Sequence, residues 1–198
     1  MFQVSRNDDA KRALLLAAID LMQETQSAQS LTVRKITERA NVNTAMISYY
    51  YGSKDELIRL AADAIVQAEA GKWLIPSSQE TDPKRRFKDM LIKMSDTVVT
   101  YFQFTKVSLD HALLKGEADV PQTILPLMRA AAPDMDEREL RLLSFVLTSG
   151  LQSILVRHEA FKDYTGYDPF DKTERDAILN RLTDIFLAHD LKNKEKES

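Results

Sequence analysis

The sequence predicts an all-α protein in two parts, and three observations predict it. Only five Gly and six Pro interrupt 198 residues. Apolar residues recur at three- and four-residue spacing along most of the chain, and no strand-like alternation persists. Between Leu31 and Leu57 the pattern shortens into two brief helices that meet at a tight turn, whereas the later helical patterns run long. We therefore expect a three-helix N-terminal module over residues 1–54, a helical body over 55–191 and a charged, disordered tail over 192–198.

The elements follow in order. A helix is expected over 10–26, with Ala13, Leu14, Ala17, Ala18, Leu21 and Met22 on its apolar face. Thr32 precedes the next helical run, and its hydroxyl suits the N-cap. Val33, Ile36 and Ala40 recur on one face of that run. Asn41 follows; after Gly, Asn best tolerates a left-handed backbone, so it suits a helix C-terminus. Val42 is placed to tuck beneath the turn, and Asn43 to cap the second short helix. On that helix Ile47 falls inward, while Thr44, Ala45 and Ser48 are small enough to approach base edges. Gly52 breaks it. Ser53 then caps a third helix running to about residue 70, with Lys54 in its first turn and Glu56 at the capping-box position. This is a helix-turn-helix, which presents one helix to the DNA major groove and holds the phosphate backbone with its flanks.

In the body, residues 73–83 read as a break, and Asp82 caps a helix that Pro83 opens. Phe87, Met90, Leu91, Met94, Val98, Tyr101 and Phe102 form its stripe. Helices at 105–115 and 121–132 follow, the second bent at Pro126. Two long helices are expected at 136–162 and 172–191, with a cap at Asp171 before the second. Leu143, Leu147, Gly150, Leu151 and Ile154 on the first, with Ile178, Leu182 and Ile185 on the second, are the expected dimer interface, pairing about a twofold into four helices. The alternative is that these stripes serve the chain's own core.

The stretch LTVRKITERANVNTAMISYYYGSKDEL resembles the DNA-binding domain of the TetR (tetracycline-repressor) family of bacterial regulators, over about residues 8 to 65. Thr32, Val33, Ile36, Ala40, Val42, Asn43, Ile47, Tyr49, Tyr50, Tyr51, Ser53, Lys54 and Leu57 carry the likeness. Asn41 replaces the family's turn glycine, Met46 a common threonine and Ser48 a frequent aromatic. The resemblance implies that Arg34, Thr44, Ala45 and Ser48 read bases, that Thr32, Tyr49, Tyr50 and Lys54 hold phosphates, and that Asn43 belongs with them to the DNA-binding residues. It places Tyr51 in the core. It implies double-stranded DNA as a partner, the chain itself as a homodimer partner, and an unknown small-molecule effector.

Charge distribution agrees with a DNA-binding N-terminus. The whole chain is at −3, yet residues 1–54 carry seven Lys or Arg against five Asp or Glu. No uncharged run reaches the roughly 18 apolar residues of a membrane span, and the polar N-terminus is unlike a signal peptide. Cys is absent, which excludes disulfides and thiolate chemistry. The expectation is a cytoplasmic protein without membrane partner. The three His stand at 111, 158 and 189, outside metal-ligand spacing, and no phosphate loop occurs, so neither metal nor cofactor nor catalysis is expected.

Phe87, Met90, Met94, Tyr101, Phe102 and His111 are the candidate effector contacts, although a Met and aromatic stripe at helical spacing more often packs a core. The resulting function is a homodimeric, sequence-specific regulator, most simply a repressor released by a small molecule. The alternatives are an all-α ligand-binding protein or enzyme using its N-terminal helices for interaction, and a DNA-binding protein without effector.

Overall fold

The computed structural model describes residues 6–25, 27–74, 82–115 and 119–194. Its elements are α1 (Arg6–Thr25), a 3-10 turn (Ala28–Ser30), α2 (Val33–Ala40), α3 (Ala45–Tyr51), α4 (Lys54–Leu74), α5 (Pro83–Thr100), α6 (Phe102–Lys115), α7 (Asp119–Ala131), α8 (Glu137–Val156), α9 (His158–Thr165) and α10 (Lys172–Lys194). The described residues contain no strand. The fold is all-α, as the spacing predicts. Two packing units divide it.

The N-terminal unit spans residues 1–68 and takes in Thr100–Ser108. Its core joins Leu14, Ala18 and Met22 of α1 to Ile36 of α2, Ile47 of α3 and Leu57, Ala61, Ala62 and Ile65 of α4, with Leu31 between α1 and α2. This unit is larger than the 1–54 segment expected, because α4 buries its inner face in the same core. Phe104 lies in that core as well, and Tyr101 packs against it. Gln103 Oε1 accepts a 3.2 Å hydrogen bond from the Ala28 amide. A segment 75 residues downstream thus completes the packing around α1 and the 3-10 turn.

The C-terminal unit comprises residues 69–99 and 109–198. Phe87, Met90 and Leu91 of α5, Ile124, Leu127 and Met128 of α7, Leu140 and Leu147 of α8 and Leu187 of α10 form its core. Asp82 caps α5 at Lys84 N, Asp136 caps α8 at Arg138 N and Asp171 caps α10 at Glu174 N, each about 3 Å away. Pro126 lies inside α7.

The single helix expected over 136–162 is two. Thr148 returns its hydroxyl to Ser144 O, and the α-helix ends at Val156, where Arg157 leaves helical geometry before α9 begins. The second long helix continues to Lys194, past the expected tail boundary at 192, and residues 195–198 lie outside the described part.

A buried ion pair fixes α5 against the start of α10. Arg175, almost fully enclosed, gives Nη2 to Asp96 Oδ1 at 2.7 Å and Nη1 to the Pro169 carbonyl at 3.0 Å. Lys172 reaches the other Asp96 oxygen at 2.9 Å. Partial burial alone would raise the Asp96 carboxyl, but hydrogen bonds from Arg175 and Lys172 outweigh it and hold the group below the usual aspartate range.

Candidate nucleic-acid interface

The turn between α2 and α3 is built as its residues dictate. Thr32 Oγ1 accepts from Lys35 N and starts α2. Asn41 stops it at φ 53°, ψ 47°, in the left-handed region. Its amide bonds to Glu38 O, and that of Val42 to Thr37 O, which is the Schellman pairing of helix-end carbonyls. Val42 packs against the core beneath. The Asn43 side chain accepts from Ala45 N at 2.8 Å, leaving the Thr44 hydroxyl without a capping task.

One face of α2 differs from expectation. Ile36 and Thr37 are its buried residues, and Val33 lies at the surface. The Thr37 hydroxyl can be buried because it bonds back to Val33 O and Arg34 O.

This scaffold exposes a short apical surface. Ile47 points into the core; Thr44, Ala45, Ser48 and Tyr49 face outward on α3. Tyr49 is 68 % exposed, an unusual state for an aromatic, and meets the Tyr50 ring edge-on at 4.8 Å. Tyr50 also packs on the core and Tyr51 is half-buried, its hydroxyl donating to Lys11 O at 2.6 Å. Burial pushes the Tyr51 phenol up, so it stays a donor. Met46, where the family usually has a threonine, packs against the core.

Gly52 ends α3 at φ 75°, where an L-residue would be strained. Ser53 Oγ accepts from Glu56 N at 3.0 Å, and Lys54 stands in the first turn of α4 with its ammonium 3.8 Å from Asp55. The Glu56 carboxylate forms two hydrogen bonds with Arg59. Helix N-terminus and lysine together make a position suited to a phosphate.

Residues 14–61 match the family model described as bacterial regulatory proteins, tetR family. The helix-turn-helix segment therefore carries the tetR-family pattern. No curated protein matches it in sequence at a significant level. Solved TetR-type structures resemble the fold over nearly the whole chain. RolR in complex with resorcinol superposes at a TM-score of 0.67 with 14 % identity, covering 93 % of this chain and 88 % of that one. The TetR family repressor AlkX from a Dietzia species, implicated in n-alkane biodegradation, gives 0.57 and 9 %, covering 94 % and 97 %. A TetR regulator from Streptomyces coelicolor gives 0.56 and 18 %, covering 95 % and 94 %. At these identities the likeness is one of fold.

In this tetR-like segment the expected DNA-reading residues Thr32, Arg34, Asn43, Thr44, Ala45, Ser48 and Tyr49 are all exposed, and Tyr50 and Lys54 are half-buried. One feature escaped the sequence reading. Arg34 is bound through Nε to Glu38 Oε1 at 2.6 Å, although the four-residue spacing of opposite charges was visible.

The candidate effector residues are dispersed. Phe87 and Met90 are in the packed core of the C-terminal unit and Met94 lies against it, whereas Tyr101 packs with the N-terminal core. Phe102 is half-buried, and the His111 side chain lies outside the described residues. The stripe that suggested a ligand cavity is split between two cores because the helix breaks at Tyr101. A groove of about 650 Å³ in the C-terminal unit is walled by Lys84, Arg85, Lys88 and Asp89 of α5 and by Asn180 and Asp184 of α10. None of the expected effector residues lines it.

The interface residues expected on α8 and α10 divide likewise. Leu147 is 2 % exposed, and Leu143, Leu151 and Leu182 pack against the same core. Ile154 and Ile178 are half-buried; Gly150 and Ile185 are exposed. The apolar face that α8 leaves uncovered is Leu142, Phe145 and Val146, continuing to Gly150. With two apolar faces, α8 has the length and mean hydropathy of a membrane span, but Leu140, Ser144, Leu147, Thr148 and Leu155 are buried within the unit.

Proposed function

We propose that this chain is a homodimeric, sequence-specific transcriptional repressor of the cytoplasm, released from its operator by a small molecule held in the helical body. The surface of Thr44, Ala45, Ser48 and Tyr49, held rigid between a Schellman turn and the capped start of α4, carries the reading. Small side chains let a helix approach base edges, and Tyr49, Tyr50, Thr32 and Lys54 supply flanking donors for phosphates.

A second copy supplies the other half-site. The uncovered Leu142, Phe145 and Val146 on α8, with the exposed Ile185 on α10, are the apolar side chains assigned to a twofold contact, and a twofold dimer meets half-sites about 35 Å apart. Effector release requires only that the ligand favour a DNA-incompetent state by its differential affinity, with a typical coupling of about 1–3 kcal/mol. The fold relative RolR binds resorcinol in its solved structure, which supports a small-molecule site in a body of this fold. Phe87 and Met90 are spent on the core, so of the six residues first expected Met94, Tyr101, Phe102 and His111 remain as candidates for its lining.

The experiment is selection of duplexes from a randomised pool, followed by binding measurements across a salt series. The reading requires an enriched site with dyad symmetry and a log-log salt dependence of negative slope. An unenriched pool, or binding indifferent to salt, overturns it.

A further inference from the structure

The Arg34–Glu38 pair is arranged unlike the other arginine pairs of its unit. Arg39 gives both Nη nitrogens to Glu24, each at 2.8 Å, and so spends its fork. Arg59 gives Nε and Nη2 to Glu56 and Nη1 to Asp63. Arg34 gives only Nε, at 2.6 Å, and its side chain is 84 % exposed. Its two terminal nitrogens are unengaged among the described residues. The backbone beneath is fixed at both ends of α2, by the Thr32 cap and the Asn41 turn.

We propose that Glu38 is a positioning residue for Arg34: gripping the guanidinium by Nε, it aims the Nη1/Nη2 pair at the two-acceptor O6/N7 edge of a guanine. The proposal rests on the DNA-binding reading. A guanidinium has five donors in a rigid plane, so a bond at Nε fixes the plane and leaves the terminal edge for two parallel acceptors. An unsupported arginine has to be ordered at the moment of binding, and a side chain already held loses less.

Glu38 has a second consequence. Two phosphate oxygens offer the same two-acceptor geometry, but the adjacent carboxylate repels a phosphate more than a neutral base edge. Glu38 therefore biases Arg34 away from backbone and toward sequence.

The test uses the full chain, a duplex selected by the wild-type protein and a random-sequence duplex. Glu38→Ala is expected to weaken the selected duplex about two- to tenfold, the ordering cost of one long side chain, and to leave the random duplex unchanged or tighter. Glu38→Gln keeps an acceptor for Nε and recovers part of the loss. In an Arg34→Ala background, Glu38→Ala has no further effect on the selected duplex. One guanine replaced by 7-deazaguanine weakens the wild-type complex but not that of Glu38→Ala. Circular dichroism checks that each variant is folded.

Equal loss on both duplexes overturns the proposal and assigns Arg34 to phosphate; so does a full Glu38→Ala effect without Arg34. If the wild-type protein enriches no site, the DNA-binding reading itself fails. If it enriches one and Glu38→Ala binds as wild type, the assignment of Glu38 alone falls.

Discussion

Truncation of Phe145 to alanine separates the two faces of α8 and measures the proposed interface. The ring is 47 % exposed. A phenylalanine carries on the order of 200 Å² of surface, so roughly 90 Å² of it remains to be covered. At about 25 cal/mol per Å², covering that area contributes about 2 kcal/mol per copy, and about 4 kcal/mol for the two copies of a twofold dimer. That is an upper bound of about a thousandfold in the dimer dissociation constant. Leu147, two residues along and 2 % exposed, is the control. Leu147→Ala leaves a hole in the core and costs about 2–5 kcal/mol of folding stability, whereas Phe145→Ala changes that stability little. Sedimentation across a concentration series reads the first effect and thermal unfolding of the monomer the second. Unchanged self-association of Phe145→Ala, or a wild-type chain that stays monomeric at micromolar concentration, refutes the interface.

Three further outcomes are expected. Lys54→Ala weakens binding to selected and random duplexes alike and flattens the salt slope by about one, whereas Thr44→Ala alters the preference among sequences, since its hydroxyl has no capping role to lose; competition gel shifts separate the two. Asn41→Ala costs about 1 kcal/mol because alanine tolerates the left-handed turn less well, and Asn41→Gly is neutral or better, both read by denaturant melts. Asp96→Asn destabilises the C-terminal unit by about 2 kcal/mol at pH 7 by removing the carboxylate from Arg175. Because the Asp96 carboxyl is held below its ordinary value when folded, its stabilisation is present above the unfolded value and fades as pH falls through the folded one. The gap between wild type and Asp96→Asn in melts from pH 7 down to about 3 is therefore expected to narrow only at the acid end.

Legibility in the sequence tracked how local the determining physics is. The left-handed Asn41, the Asn43 and Ser53 caps and the inward Ile47 depend on a few neighbouring residues, and their chemistry reads directly from the chain. The caps at Asp82 and Asp171 are of the same kind. The break at Arg157 was missed because the apolar spacing continues across it while the backbone turns. The inward face of α8 is hard to read for a different reason. A helix apolar on two sides gives no phase to its pattern, and only the packing of α7 and α10 decides that Leu147 turns inward and Phe145 outward. Tyr101 continues the spacing of Phe87 and Met90 although it serves another core, because sequence spacing carries no record of which partner a helix meets.

The place of Phe104 bears on how this reader can be moved between proteins. A fragment ending at Leu74 includes α1 to α4 yet lacks the Phe104 ring that is buried in their core. An unfilled space of that size costs about 3–5 kcal/mol, comparable to the entire margin of a small domain. Hybrids that graft this head onto a foreign sensor therefore have to transplant residues 100–108 as a second, discontinuous insert, or redesign the vacancy with a larger residue from α1 or α4.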